Sequence, residues 1–256
     1  MSIQAEKIDA LFISDVHLGT RGSNPDALLE VLKSYNPASL YIVGDFIDGW
    51  MLKKKHYWTQ SMTNVVRKIL SYSKKGTAVY YITGNHDDFL REYDFLDFGN
   101  IKVVDEILIG DTWIVHGDLY DAVVKYNKWL AVLGSVGYDL SISLNKRIAW
   151  FRRLLGLQPK SFSKWLKSKV KHAVSFVTQF EETLVKETIN RDCRTVICGH
   201  IHTPADLMIN GVRYINTGDW VESLSYVTLN QGVYQLHTPE NVTIEKTIDC
   251  CNSNQE

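Results

Sequence analysis

Five polar segments hold the side chains that could act together: Asp15-Val16-His17, Gly44-Asp45-Phe46-Ile47-Asp48, Gly84-Asn85-His86, His116 and Gly199-His200-Ile201-His202. Five of the eight histidines fall in them, too many for chance placement. Carboxylate and amide oxygens with imidazole nitrogens, and no thiolate, make a donor set suited to Mn2+ or Fe2+ and tolerant of Zn2+ or Co2+. Asp45 reads as a carboxylate shared by two divalent ions, which such a bridge holds about 3.5 to 4 Å apart. That spacing clamps phosphoryl oxygens and an attacking water, so the chemistry expected is hydrolysis of a phosphate ester or diphosphate. An Asp-x-His or a Gly-Asn-His alone is a weak signal, since a lone histidine at a strand end is most often structural. The ordered set is specific.

Each segment follows an apolar run: Leu11-Phe12-Ile13-Ser14, Leu40-Tyr41-Ile42-Val43, Val79-Tyr80-Tyr81-Ile82, Trp113-Ile114-Val115 and Thr195-Val196-Ile197-Cys198. These read as buried strands, and in an open α/β fold ligands gather at the carboxyl ends of the strands. Between the first three runs lie two helical stretches. One has Asn24 as cap and Pro25 in its first turn and ends near Tyr35; the other runs from near Thr59 to Lys75 and stops at Gly76. Strands at 101–104, 107–109 and 112–115 read as a meander, and short strands after His202 point to a second sheet. The expected fold is a four-layer α/β/β/α sandwich forming one domain over 1–256.

Residues 121–190 are the exception, reading as a helical lid inserted in that domain. Within it Phe162, Leu166, Val170, Ala173, Val177, Phe180 and Leu184 recur at helical spacing, with Lys160, Lys164, Lys167 and Lys171 roughly opposite. Residues 140–180 contain nine Lys or Arg and no Asp or Glu, whereas the whole chain has a net charge of -1. An anionic membrane surface is therefore an expected partner of the lid, and the near-neutral total disfavours nucleic acid. No secretory signal or membrane span is apparent, and four cysteines without a Cys-x-x-Cys pair fit a reducing compartment. The expected location is cytoplasmic, peripheral on the inner face of the membrane.

The five blocks resemble those of the calcineurin-like metallophosphoesterases. The resemblance implies that Asp15, His17, Asp45 and His202 hold one metal and that Asp45, Asn85, His116 and His200 hold the other. It also implies that Asp48 orients His86 toward the phosphoryl group, where His86 acts as the catalytic imidazole. Asp45-Phe46-Ile47-Asp48-Gly49-Trp50, Gly199-His200-Ile201-His202-Thr203-Pro204 and Gly218-Asp219-Trp220 are similar, more closely, to the UDP-2,3-diacylglucosamine pyrophosphohydrolases of lipid A synthesis. Those enzymes use Mn2+ and carry a helical cap. They have Arg after the Asn, where this chain has His86.

The leading expectation is thus a two-metal hydrolase of a lipid-linked nucleotide. The alternatives are a phosphodiesterase or phosphatase for soluble nucleotides and a binding scaffold of the same fold; all seven ligand positions are filled, which counts against the scaffold. Asp87, Asp118 and Asp219 are read as supporting or turn residues rather than ligands. His56, His172 and His237 lack motif context and read as structural or exposed.

Overall fold

The computed structural model describes residues 5–93, 97–120 and 162–239, the side chains of 93, 97, 98 and 162–175 excepted. Three of the apolar runs become the adjacent parallel strands β1 (Glu6–Ile13), β2 (Tyr35–Val43) and β3 (Ala78–Ile82). Their side chains alternate between two cores, as strand geometry requires. Leu11, Ile13, Leu40, Ile42 and Val79 face one way and pack with Leu28 and Leu32 of α1 (Pro25–Ser34). Val65 and Ile69 join them from α3 (Gln60–Lys74), which follows the short α2 (Gly49–Lys54). Truncating a fully buried residue such as Ile42 to Ala should cost roughly 2 to 5 kcal/mol.

The opposite faces, with Phe12, Tyr41, Val43 and Ile82, meet Ile114, Ile197 and Ile215 of a second sheet. Phe12 stacks on Tyr41 at 4.7 Å and Tyr41 on Tyr80 at 5.0 Å, an aromatic row across the layer between the sheets. The second sheet is built from β6 (Glu106–Ile109), β7 (Thr112–Val115), β8 (Thr195–Cys198), β9 (Ala205–Ile209) and β10 (Val212–Asn216). Its order is β6-β7-β8-β10-β9, with β7, β8 and β10 parallel. The first sheet gains β4 (Asp97–Phe98), β5 (Ile101–Val104), β11 (Tyr226–Asn230) and β12 (Val233–His237), in the order β12-β11-β1-β2-β3-β5-β4. Two sheets flanked by helices, the expected α/β class, are therefore present.

Three local expectations are corrected. Strands β5, β6 and β7 do not form one meander, because β5 pairs parallel with β3 and the chain changes sheets before β6. Nor do all strands after His202 join the second sheet, since β11 pairs antiparallel with β1. Asn24 precedes α1 without a side-chain cap; its amide instead donates to the carbonyls of Trp220 and Val221, tying the helix start to a distant loop.

The chain divides into two compact units, residues 1–118 with 182–256, and residues 119–181. Of the segment read as a lid, Phe162–Asn190 forms the helix α4, while 121–161 lie outside the described residues. In the part of α4 belonging to the first unit, Leu184, Val185 and Thr188 are buried. No helix among the described residues is long and apolar enough to cross a membrane.

Candidate metal centre

Past the ends of β1 and β2 the backbones stay paired. Asp15 N–H donates to the Gly44 carbonyl, His17 N–H to the Asp45 carbonyl and Asp48 N–H to the Leu18 carbonyl, at 2.8 to 3.0 Å. Holding two turning loops in register forces unusual dihedrals. Asp15, His17, Asp45, His200 and His202 all have positive φ, between 50° and 71°. They are five of the nine non-glycine residues with positive φ among the described ones. Such a conformation costs a side-chain-bearing residue about 1 kcal/mol or more, and clustering at one place is the mark of a functional site.

Asp45 lies at the centre. Its Oδ2 is 3.4 Å from His116 Nε2, 4.0 Å from His17 Nε2 and 4.0 Å from His86 Nε2, so imidazoles from three different loops converge on one oxygen. Asp15 Oδ1 lies 3.2 Å from His202 Nε2, which in turn lies 3.3 Å from His17 Nε2. The His116 ring meets that of His200 at 5.2 Å, and His200 N–H donates to Asp15 Oδ2 at 3.0 Å. Two glycines make the crowding feasible: a Cβ on Gly84 would stand 2.3 Å from Asp45 Oδ1, and one on Gly199 2.3 Å from Asp15 Oδ2.

A surrounding layer fixes how these rings present themselves. His116 is fully buried and its Nδ1 donates to the Val43 carbonyl at 2.9 Å, which turns Nε2 toward Asp45. Asp219 Oδ2 holds His202 Nδ1 at 3.1 Å, while its Oδ1 accepts from the N–H groups of Val221, Glu222 and Ser223. Asp87, buried, accepts from Gly84 N–H, Phe46 N–H and the Tyr81 hydroxyl, clamping the loops that carry Asp45 and Asn85 together. Asp118 pairs with Arg91 at 3.0 Å. Asp87 and Asp219 thus hold loops or rings of the cluster, and Asp118 holds Arg91. Trp50, to which the sequence reading assigned no role, packs its ring 4.3 Å from that of His86.

Charge in the cluster is unbalanced without cations. Burial alone would push Asp45 up, yet the imidazoles of His116, His86 and His17 hold it well below the ordinary carboxylate range. Burial would lower His116, but Asp45 and Asp15 lift it to about 10. His202 is lifted likewise to about 10 by Asp15 and Asp219 against its burial. Protons on these rings serve where the carboxylates require positive charge, a requirement that a divalent ion meets as well.

Three buried atoms support the same fit. Asp15 Oδ1, Asn85 Oδ1 and His116 Nε2 have no hydrogen-bond partner, and each orphan costs about 1 to 3 kcal/mol unless something accepts its lone pair. Groups able to hold an ion are Asp15 with His17 and His202, Asp15 with Asp45 and His116, and His17 with Asp45 and His86. The last includes a residue read from the sequence as catalytic rather than ligating. Of the lid lysines, Lys164, Lys167 and Lys171 are on α4 with side chains outside the described set, and Lys160 lies outside the described residues.

The profile of the calcineurin-like phosphoesterase family matches residues 8–204. The chain belongs to that family. It is accordingly a hydrolase of phosphoester bonds, of a family that binds divalent metal. This calcineurin-like phosphoesterase is 30% identical to a UDP-2,3-diacylglucosamine hydrolase of Marinobacter nauticus over 246 residues, covering 90% of this chain and 97% of the relative. It is 28% identical to the UDP-2,3-diacylglucosamine hydrolase of Aeromonas hydrophila over 257 residues, covering 90% and 98%. Among solved structures it is similar to Yfce, a phosphoesterase from E. coli, at 15% identity and a TM-score of 0.44, covering 88% of this chain and 90% of that one.

Proposed function

We propose that this calcineurin-like phosphoesterase uses two divalent ions, of which Mn2+ fits the donors well, to cleave the diphosphate of UDP-2,3-diacylglucosamine or a related lipid-linked nucleotide. The observation that carries the reading is the convergence of three imidazole nitrogens on Asp45 Oδ2 within 4.0 Å. Asp15, His17, Asp45 and His202 would hold one ion, and Asp45, Asn85, His116 and His200 the other. When bound, the ions supply a water-derived nucleophile at neutral pH and neutralise phosphoryl charge.

His86 supplies what the chain itself adds. Its Nδ1 is fixed by Asp48 Oδ2 at 2.9 Å, and the ring is held between Trp50 and the edge of His17. Burial opposes its charge while Asp48 and Asp45 raise its pKa, and Nε2 would donate to a phosphoryl or leaving oxygen. The lid lysines Lys160, Lys164, Lys167 and Lys171 would meet an anionic membrane surface at the cytoplasmic face, presenting the lipid-linked substrate. The activity for which the Marinobacter nauticus and Aeromonas hydrophila relatives are named supports this substrate. A second reading, hydrolysis of soluble nucleotides, is favoured by His86 standing where the lipid A enzymes resembled here have Arg.

One assay separates them: turnover of UDP-2,3-diacylglucosamine and of bis-p-nitrophenyl phosphate, with Mn2+ and with chelator. Mn2+-dependent release of UMP supports the lipid-linked reading. Cleavage of the small diester alone would replace it with the soluble one.

A further inference from the structure

The main unit carries a second cationic stretch. Residues 49–86 contain seven Lys or Arg and no Asp or Glu. Lys53, Lys54 and Lys55 end α2 and are exposed, and none has an ion pair among the described residues. Apolar groups are interleaved with them. Met51 is 42% exposed, and Trp50, Tyr57 and Trp58 are half-buried, the last two packed by one side on the core under α1 and α3. From a different loop, the Arg21 guanidinium sits 5.1 Å from the Tyr57 ring centroid. Solvated protein surfaces mix charges of both signs, whereas lysines without acids, beside amphipathic aromatics, are the composition of a bilayer interface.

The placement is as informative as the composition. The N-terminus of α2 is capped by Asp48, the residue that holds His86, so the lysines stand one helix length from the reacting side chains. Six residues at 1.5 Å each span about 9 Å. The polar layer of one leaflet is about 5 to 8 Å thick, so a diphosphate at the headgroup level and the cluster around Asp45 are on one scale. Nucleic acid fits less well, since base stacking needs free aromatic faces. Here Trp50 is occupied by His86, and Trp58 donates its indole N–H to Thr63 Oγ1 at 3.0 Å.

We propose that residues 50–58 with Arg21 form a docking edge that seats the main unit on an anionic phospholipid surface beside the catalytic cluster. The inference builds on the lipid-linked reading of the site and adds to the lid a contact from the other compact unit. The edge sets the distance between headgroup plane and Asp45, so that a lipid-linked diphosphate is reached without being drawn from the bilayer.

The test is sedimentation of the Mn2+-loaded full chain with phosphatidylglycerol-containing and pure phosphatidylcholine vesicles at low and high salt. Wild type should bind only the anionic vesicles, and salt should release it. Lys53→Gln/Lys54→Gln/Lys55→Gln should lower partitioning about 100-fold, each cation contributing roughly a factor of five near an anionic bilayer. A variant at the four lid lysines should keep a measurable share of the binding. Thermal melting establishes that each variant is folded, and Lys53→Arg/Lys54→Arg/Lys55→Arg should restore binding if the neutral variant is damaged. Equal partitioning of wild type and the Gln variant, equal binding to both vesicle types, or displacement by RNA at a lower concentration than by anionic vesicles would overturn the proposal. The assay reads no turnover, so vesicle binding without UMP release would sink the substrate reading alone, and UMP release without binding the docking edge alone.

Discussion

Asp48 serves His86 and α2 at once: Oδ2 meets the imidazole Nδ1 at 2.9 Å, while Oδ1 accepts the Met51 N–H at 2.8 Å. The two duties can be separated. Asn caps a helix about as well as Asp but lacks the charge that holds an imidazolium, so Asp48→Asn should melt like wild type with kcat about tenfold lower. Asp48→Ala should lose about 1 kcal/mol of stability as well.

His86→Ala should lower kcat about 100-fold or more while the metal content stays at the wild-type value. Elemental analysis beside kinetics decides this. A parallel fall in metal would place His86 among the ligands, as its position within the group of His17 and Asp45 allows.

For Asp45→Ala we expect metal-free protein and background activity, because no neighbour can replace a carboxylate set among three imidazoles. Gly84→Ala is the sharper test. It removes no ligand, yet its Cβ would stand 2.3 Å from Asp45 Oδ1, so metal affinity should drop severalfold or more. Unchanged metal binding in this variant would show that the carboxylate can move aside at no cost.

Charge reversal of Lys160, Lys164, Lys167 and Lys171 to Glu should weaken turnover of a lipid-linked substrate and spare bis-p-nitrophenyl phosphate. Losses of equal size on both substrates would mean that the stripe supports folding.

Alkaline pH probes both cores, Tyr41 between the sheets and Tyr72, Tyr81 and Tyr226 on the helix side of the first sheet. Burial pushes the Tyr41 phenol up to about 12, and Tyr72, Tyr81 and Tyr226 are also raised by burial. The fold therefore keeps protons that the unfolded chain releases above about pH 10, and stability must fall as pH rises through 10 toward 12. These phenols should ionise together with unfolding in an ultraviolet titration. Free titration of all tyrosines near their ordinary value, with circular dichroism unchanged, would contradict the packing of Phe12, Tyr41 and Tyr80.

The convergence of the cluster's Asp and His side chains was legible because each segment that carries them follows an apolar run, a local signal that survives without tertiary information. What could not be read depended on distant partners. Asn24 has the chemistry of a cap, but the carbonyls of Trp220 and Val221 take its amide. Helix α2 is only six residues long and begins at Gly49, and it owes its start to a carboxylate whose other oxygen is committed to His86. The switch of sheets between β5 and β6 leaves no periodic trace in strands of four residues each.

The left-handed backbone at Asp15, His17, Asp45, His200 and His202 also bears on descent. Glycine would relax each of these positions, and losing a carboxylate or an imidazole would empty a crowded interior of charge. A lineage released from selection for hydrolysis therefore gains stability as it discards these residues, whereas a lineage regaining them must tolerate a weaker fold until metal is bound. Loss of chemistry in such a scaffold should run as a one-way ratchet.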